Sequence, residues 1–136
     1  ETDPVPQIII DMGTATTFSV IGKDKSYLGG VITTGMAVSA DALFSRTSQL
    51  PRISFDKPKR VIGKNTVDCM KSGIMYSTAS GIDGMIERLE EELGEKCTVI
   101  ATGGLASIVM PLCKRKIILD EDLMLKGLAI IYKRNA

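Results

Sequence analysis

Three short segments of this chain carry residue types that could bind a phosphorylated ligand and its partner substrate. The first is Asp11-Met12-Gly13-Thr14-Ala15-Thr16-Thr17. Gly13 lets the chain turn sharply and brings backbone N–H groups close to an anion, while Thr14, Thr16 and Thr17 add hydroxyl donors. A carboxylate only accepts hydrogen bonds, so Asp11 suits a cation or its hydration shell and not a phosphate itself. No Gly-Lys-Ser/Thr follows, so the segment is not a Walker loop. The same residues also describe a polar hairpin, because threonine is a good strand former. The second segment is Thr102-Gly103-Gly104. Two glycines at the end of a strand permit the flat approach of a base or ribose next to an electropositive helix N-terminus, and they equally serve a tight strand-to-helix turn. The third is Asn65-Thr66, which either caps a helix or turns a hydroxyl toward a substrate.

The rest of the composition removes competing chemistries. The 136 residues include no histidine, which excludes a Ser-His-Asp triad, a Cys-His pair and any histidine-based metal site within the chain. Cys69, Cys97 and Cys113 form no C-x-x-C and are expected to be buried or idle thiols of a reducing cytoplasm. A net charge of +1 gives no electrostatic footprint for nucleic acid or an anionic membrane. No apolar stretch reaches the roughly 20 residues that span a bilayer. The one dense basic run, Lys57-Pro58-Lys59-Arg60, is either a solvated loop or a patch that meets an anionic substrate. Glu90-Glu91-Glu92 is expected to be a solvated face, and Asp83 a cap within a broken helix, a catalytic role for it being the lesser reading.

These candidates need a scaffold, and hydrophobic periodicity supplies one. Ile8-Ile9-Ile10 is a β-branched run expected of a strand covered on both faces. Thr16 to Ile21 and Ser26 to Thr33 read as further strands, joined by Gly22-Lys23-Asp24-Lys25, with Gly29-Gly30 marking a bulge or a close backbone approach. Met36 to Leu50 turns helical, with Ala37, Ala40, Leu43 and Phe44 on one face, and Pro51 ends it. A long helix from Asn65 or Thr66 to about Leu93 carries Ile82, Met85, Ile86, Leu89 and Leu93 in a stripe, and Gly81 and Gly84 predict a break or a tight contact near Ser80. Cys97 to Ala101 is a buried strand, Leu105 to Cys113 a short helix, and Asp120 caps a last helix with Leu125, Leu128 and Ile131–Tyr132 inward. Three meandering antiparallel strands followed by a strand added in parallel through helices give the βββαβα outline of a single ribonuclease-H-like α/β domain. The opening Glu1-Thr2-Asp3-Pro4-Val5-Pro6, with no Met, reads as a linker or cut edge of a longer protein.

In order along the chain, the segments resemble the type III pantothenate kinases of the acetate and sugar kinase, chaperone and actin superfamily. The resemblance runs through Ile9 to Thr17, Tyr27 to Ile32, Ala42-Leu43 with Arg46-Thr47, and Leu50-Pro51. It continues in Ile62-Gly63-Lys64-Asn65-Thr66 with Ser72-Gly73, then Ala101 to Ala106, and closes on Gly127-Leu128 and Tyr132. It implies an actin-like ATPase fold and transfer of the γ-phosphoryl of ATP to pantothenate, the first step of coenzyme A biosynthesis. It further implies that Gly13, Thr14, Ala15, Thr16 and Thr17 hold ATP phosphates and that Asp11 places a potassium or ammonium ion or hydrated Mg2+. Gly103 and Gly104 would lie on the adenosine side, and Thr66 would touch pantothenate near a homodimer interface. The family's first phosphate motif, and the Gly-x-Asp-Arg segment with its catalytic aspartate, belong to an N-terminal half and are not found here. By the same resemblance this chain is the C-terminal half, inactive by itself. Ser19 and Thr34 stand where the family usually has aspartate and proline. Those departures favour one alternative, a nucleotide-binding scaffold without catalysis; a second, a kinase for another small hydroxyl substrate, stays open because phosphate loops do not define the acceptor.

Overall fold

The computed structural model describes residues 4–47 and 49–122. A five-stranded sheet runs in the order β3-β2-β1-β4-β5. Its strands are β1 (Gln7–Met12), β2 (Ala15–Ile21), β3 (Tyr27–Thr34), β4 (Thr98–Thr102) and β5 (Ile118–Leu119). The first three form an antiparallel meander, and β4 adds to β1 in parallel, with Ile8 opposite Val99 and Asp11 opposite Thr102. β5 continues in parallel beyond β4. This is the expected βββαβα topology. The two-residue β5 was not expected, because both residues are exposed and the run is too short to show a period.

Alternation along β1 decides what each face does. Ile8, Ile10 and Met12 point into the core, beside Phe18 of β2 and Val99 and Ala101 of β4. Ile9 and Asp11 therefore face the other way. The core is closed by α2 (Thr66–Leu93), whose Ile74, Met75, Ala79, Ile82 and Ile86 lie against the sheet. α3 (Ala106–Val109), with the 3-10 turn Met110–Leu112, adds Ala106 and Val109 to the same core.

α2 is continuous, so the predicted break near Ser80 does not occur. Nor is there a tight contact: a Cβ at Gly81 or Gly84 would meet nothing within 4 Å. Each glycine costs a helix about 1 kcal/mol, less than the flanking Ile82 and Ile86 gain by full burial. Asn65 caps the helix as expected, its Oδ1 accepting from Asp68 N at 2.9 Å while its Nδ2 donates to Asp68 Oδ2 at 3.0 Å. Gly94 stops it in a left-handed conformation. α1 (Met36–Arg46) ends earlier than expected, and only Met36 is buried, with Leu43 exposed. The expected last helix lies outside the described residues. No helix among the described residues is long and apolar enough to cross a membrane.

Two carboxylates of α2 fasten the chain that leads into β5. Asp83 accepts from the backbone N of Lys114 at 2.8 Å and of Arg115 at 3.1 Å, so it caps nothing in its own helix. Glu90 is 5% exposed, which corrects its expected place on a solvated face. Its Oε2 accepts from Cys97 N at 2.8 Å and Arg115 Nη2 at 2.9 Å, and its Oε1 lies 2.8 Å from Arg115 Nη1 outside hydrogen-bond geometry. Arg115 holds the Glu90 carboxyl below its ordinary range, against the opposing effect of burial.

The irregular segment between the two long helices is tied to α2 by Lys71 Nζ on Asp56 Oδ1 at 2.6 Å, and by the Ser72 hydroxyl on the Val61 carbonyl. The Lys71 hydrogen bond, helped by Ser54, lowers the Asp56 pKa to about 2. A depressed carboxylate pKa stabilises the tether above the ordinary range near 3.9, and that contribution is lost as pH falls through about 2. In Lys71→Met the Asp56 titration, followed by carboxyl-carbon NMR, is expected to move up toward the ordinary value. An unmoved midpoint would contradict the tether.

Candidate functional site

The sheet brings two of the three candidate segments together. Asp11 at the end of β1 and Thr102 at the end of β4 are register partners, and with Gly103, Gly104 and Glu121 they line one cleft of about 370 Å³. Gly103 makes this possible. Its φ is +103°, and a Cβ there would stand 2.7 Å from the backbone N, C and O of Met12. The turn leaving β4 therefore crosses directly over the end of β1, which only glycine allows.

The Gly13–Thr14 turn joins β1 to β2 beside this cleft and is exposed. A Cβ at Gly13 would lie 3.8 Å from Asp11 Oδ1, so the carboxylate stands next to the turn. Thr17 is the cross-strand partner of Asp11 and shares its face. Thr16 is placed differently from its neighbours: it is 3% exposed and pairs with Met12 on the core face. Any anion at the turn meets the Thr14 and Thr17 side, with Ala15 contributing backbone only. Ser19 pairs with Ile9 and lies on the same face as Asp11 and Thr17.

The charges lining the cleft are both negative, Asp11 and Glu121. Among the described residues no group of three or more acidic or cysteine side chains converges to hold a metal. A polyphosphate can therefore approach Asp11 favourably only together with a cation, whose remaining ligands are phosphate oxygens and water. Glu121 was missed at the sequence level. It follows a strand too short to recognise, so nothing in its neighbourhood marked it.

Thr66 does not share that cleft. It lines a separate groove of about 650 Å³ between α1 and α2, with Leu43, Leu50, Lys64, Asn65, Cys69, Met70 and Ser77 among its walls. The groove mixes hydroxyls, the Asn65 amide and aliphatic side chains, which suits a small molecule with both polar and apolar parts. Of the thiols expected to be buried or idle, Cys69 is exposed and Cys97 and Cys113 are half-buried. Burial pushes the Cys113 thiol up to about 12, so it is inert near neutral pH.

The topology and the cleft at the carboxyl ends of β1 and β4 define a ribonuclease-H-like α/β domain. A model of the type III pantothenate kinase family matches residues 2–88, and the chain belongs to that family. A type III pantothenate kinase from Bacillus cytotoxicus is 48% identical over 131 residues, covering 96% of this chain and 50% of that protein. The chain thus spans about half the length of this curated relative. Among solved structures, a conserved putative Baf family transcriptional activator from Campylobacter jejuni superposes with a TM-score of 0.66 at 23% identity. The superposition covers 96% of this chain and 58% of that one, and it shows a shared fold.

Proposed function

We propose that this chain is the ATP-side half of a type III pantothenate kinase, which transfers the γ-phosphoryl of ATP to the primary hydroxyl of pantothenate to give 4'-phosphopantothenate. The observation that carries the proposal is the meeting of Asp11 with Gly103 and Gly104 in one cleft, beside the Gly13–Thr14 turn. Backbone N–H groups of Gly13 to Thr17 and the hydroxyls of Thr14 and Thr17 take the phosphates, and Gly103 and Gly104 the adenosine. Asp11 orients the water or phosphate-bound cation, Mg2+ or a potassium or ammonium ion, which neutralises charge on the transferring group. Thr66, at the first turn of α2, faces pantothenate in the neighbouring groove. The proton acceptor is an aspartate of a Gly-x-Asp-Arg segment, which this sequence does not contain. That residue belongs to the N-terminal half of the same enzyme, which works in the cytoplasm as a homodimer.

The test is ADP release with pantothenate and Mg2+. This chain by itself is expected to show none, and a polypeptide carrying the Gly-x-Asp-Arg half is expected to restore it. Turnover by this chain alone would overturn the division of labour, and failure to restore it would count against the kinase reading.

Cys69 provides a second test of where the substrate lies. It is exposed and lines the Thr66 groove, whereas burial raises the pKa of Cys97 and Cys113. A maleimide at neutral pH is expected to modify Cys69 first, and saturating pantothenate to slow that reaction several-fold. Labelling of Cys69 at an unchanged rate in saturating pantothenate would remove the substrate from this groove.

A further inference from the structure

The two carboxylates of the Asp11–Gly103 cleft stand on opposite sides of its glycine turn. In the sheet order β4 separates β1 from β5, so Asp11 lies on one flank of Thr102-Gly103-Gly104 and Glu121, just past β5, on the other. β5 is held in register by Leu119 opposite Ala101, and the backbone N of Asp120 donates to the Ala101 carbonyl at 2.9 Å. That fixes the chain immediately before Glu121 against the end of β4. Two strand spacings, about 10 Å, lie between the ends of β1 and β5. Glu121 is exposed and forms no hydrogen bond or ion pair among the described residues. Thr102, between the two carboxylates, shares the face of Asp11 and lines the cleft. It is 7% exposed, yet its hydroxyl has no hydrogen-bond partner among the described residues. A polar group buried to that degree is ordinarily paired, so this one is a bonding position that a ligand in the cleft completes.

We propose that Glu121 reads the sugar of the nucleotide, accepting hydrogen bonds from the ribose 2'- and 3'-hydroxyls. The inference rests on the placement of ATP in this cleft, with its phosphates at the Gly13–Thr14 turn and its adenosine at Gly103 and Gly104. A nucleotide so placed runs across the strand ends from β1 toward β5. Its phosphates meet the Asp11 side, its sugar meets the β4–β5 side, and the unpaired Thr102 hydroxyl lies on the path between them. A carboxylate only accepts, and the donors that adenosine offers are the two ribose hydroxyls and the adenine amino group. A vicinal diol presents two donors side by side to the two carboxylate oxygens, and an acidic side chain takes a ribose hydroxyl in dinucleotide-binding folds as well. The two carboxylates of the cleft thereby act differently: Asp11 meets the phosphates through a cation, and Glu121 meets the sugar directly.

The experiment compares ATP with 2'-deoxy-ATP by calorimetric titration of this chain in the presence of Mg2+. The wild-type chain is expected to bind ATP about tenfold more tightly, the scale of one hydrogen bond to a charged acceptor. In Glu121→Ala the ratio of the two affinities is expected to fall to about one, and in Glu121→Gln, which keeps one accepting oxygen, to an intermediate value. Removing a negative charge also eases the approach of the phosphates, but it does so for both nucleotides, so the ratio isolates the sugar contact. Equal affinities of the wild-type chain for the two nucleotides would overturn the contact and leave the placement of adenosine standing. A ratio that survives in Glu121→Ala would overturn it as well, since a carboxylate acting through a phosphate-bound cation serves both nucleotides alike. Inosine triphosphate, whose base lacks the amino group, is the control for the base. If Glu121→Ala abolishes discrimination against inosine triphosphate and leaves the 2'-deoxy ratio intact, the carboxylate reads the adenine and the sugar contact is overturned. Binding of neither ATP nor 2'-deoxy-ATP would overturn both the contact and the placement of ATP on this half.

Discussion

Glu90→Ala is expected to destabilise the fold by about 3 kcal/mol, seen as a fall in Tm of about 10–15 °C. The size follows from what the carboxylate does. It is almost fully buried, it accepts from the backbone at the start of β4, and it carries the Arg115 guanidinium that leads toward β5. Arg115 is partly exposed, which keeps the cost at the lower end for a buried pair. Glu91→Ala, one residue on and exposed, is the control and is expected to change stability by less than about 0.5 kcal/mol. Arg115→Met tests the electrostatics separately. With Arg115 present, the Glu90 pKa is depressed, so the pair stabilises above the unfolded carboxylate range and is lost as pH falls through the folded value. Without it, burial is opposed only by the Cys97 N–H and Lys96, so the pKa moves up, and the variant is expected to lose much of the stability that the wild-type protein gains as pH rises through the carboxylate range. Parallel pH profiles of Tm for the two proteins would refute this account.

Substitution at the paired glycines separates fold from binding. Gly103→Ala places a methyl 2.7 Å from the Met12 backbone at a φ of +103°, so β4 and β1 must part at the floor of the cleft. Loss of ATP binding together with a destabilisation of about 1–3 kcal/mol is the expected result. Gly104→Ala meets nothing within 4 Å. Its fold is expected to be intact by circular dichroism and Tm, while the added methyl enters the cleft and weakens ATP at least about tenfold, or 1.4 kcal/mol. Wild-type ATP affinity in Gly104→Ala would remove the adenosine from this turn.

Much of the sheet was legible because its strands are short β-branched runs separated by turn residues, and the antiparallel-then-parallel order follows from the connection lengths. The two departures along α2 share a cause: helical register outweighs residue type there. Glu90 looked solvated within Glu90-Glu91-Glu92, yet it stands four and eight residues from Ile86 and Ile82, on the buried stripe. Gly81 and Gly84 looked like a break, yet the same stripe continued through them. For the candidate site, the glycine and threonine motifs could be found in sequence. Their faces could not, since Thr16 and Thr17 differ only in parity along β2. Glu121 depended on β5, which two exposed residues could not announce.

The unbroken α2 has a mechanical consequence. Its 28 residues make a rod about 42 Å long. One end carries Thr66, and the other is bolted through Asp83 and Glu90 to the chain entering β5, just before Glu121 in the cleft that Asp11 and Gly103 line. A rod converts angle into displacement: a tilt of about 2° at one end moves the other by about 1.5 Å over that length. The Thr66 groove and the Asp11–Gly103 cleft are separate depressions, but they are not mechanically independent.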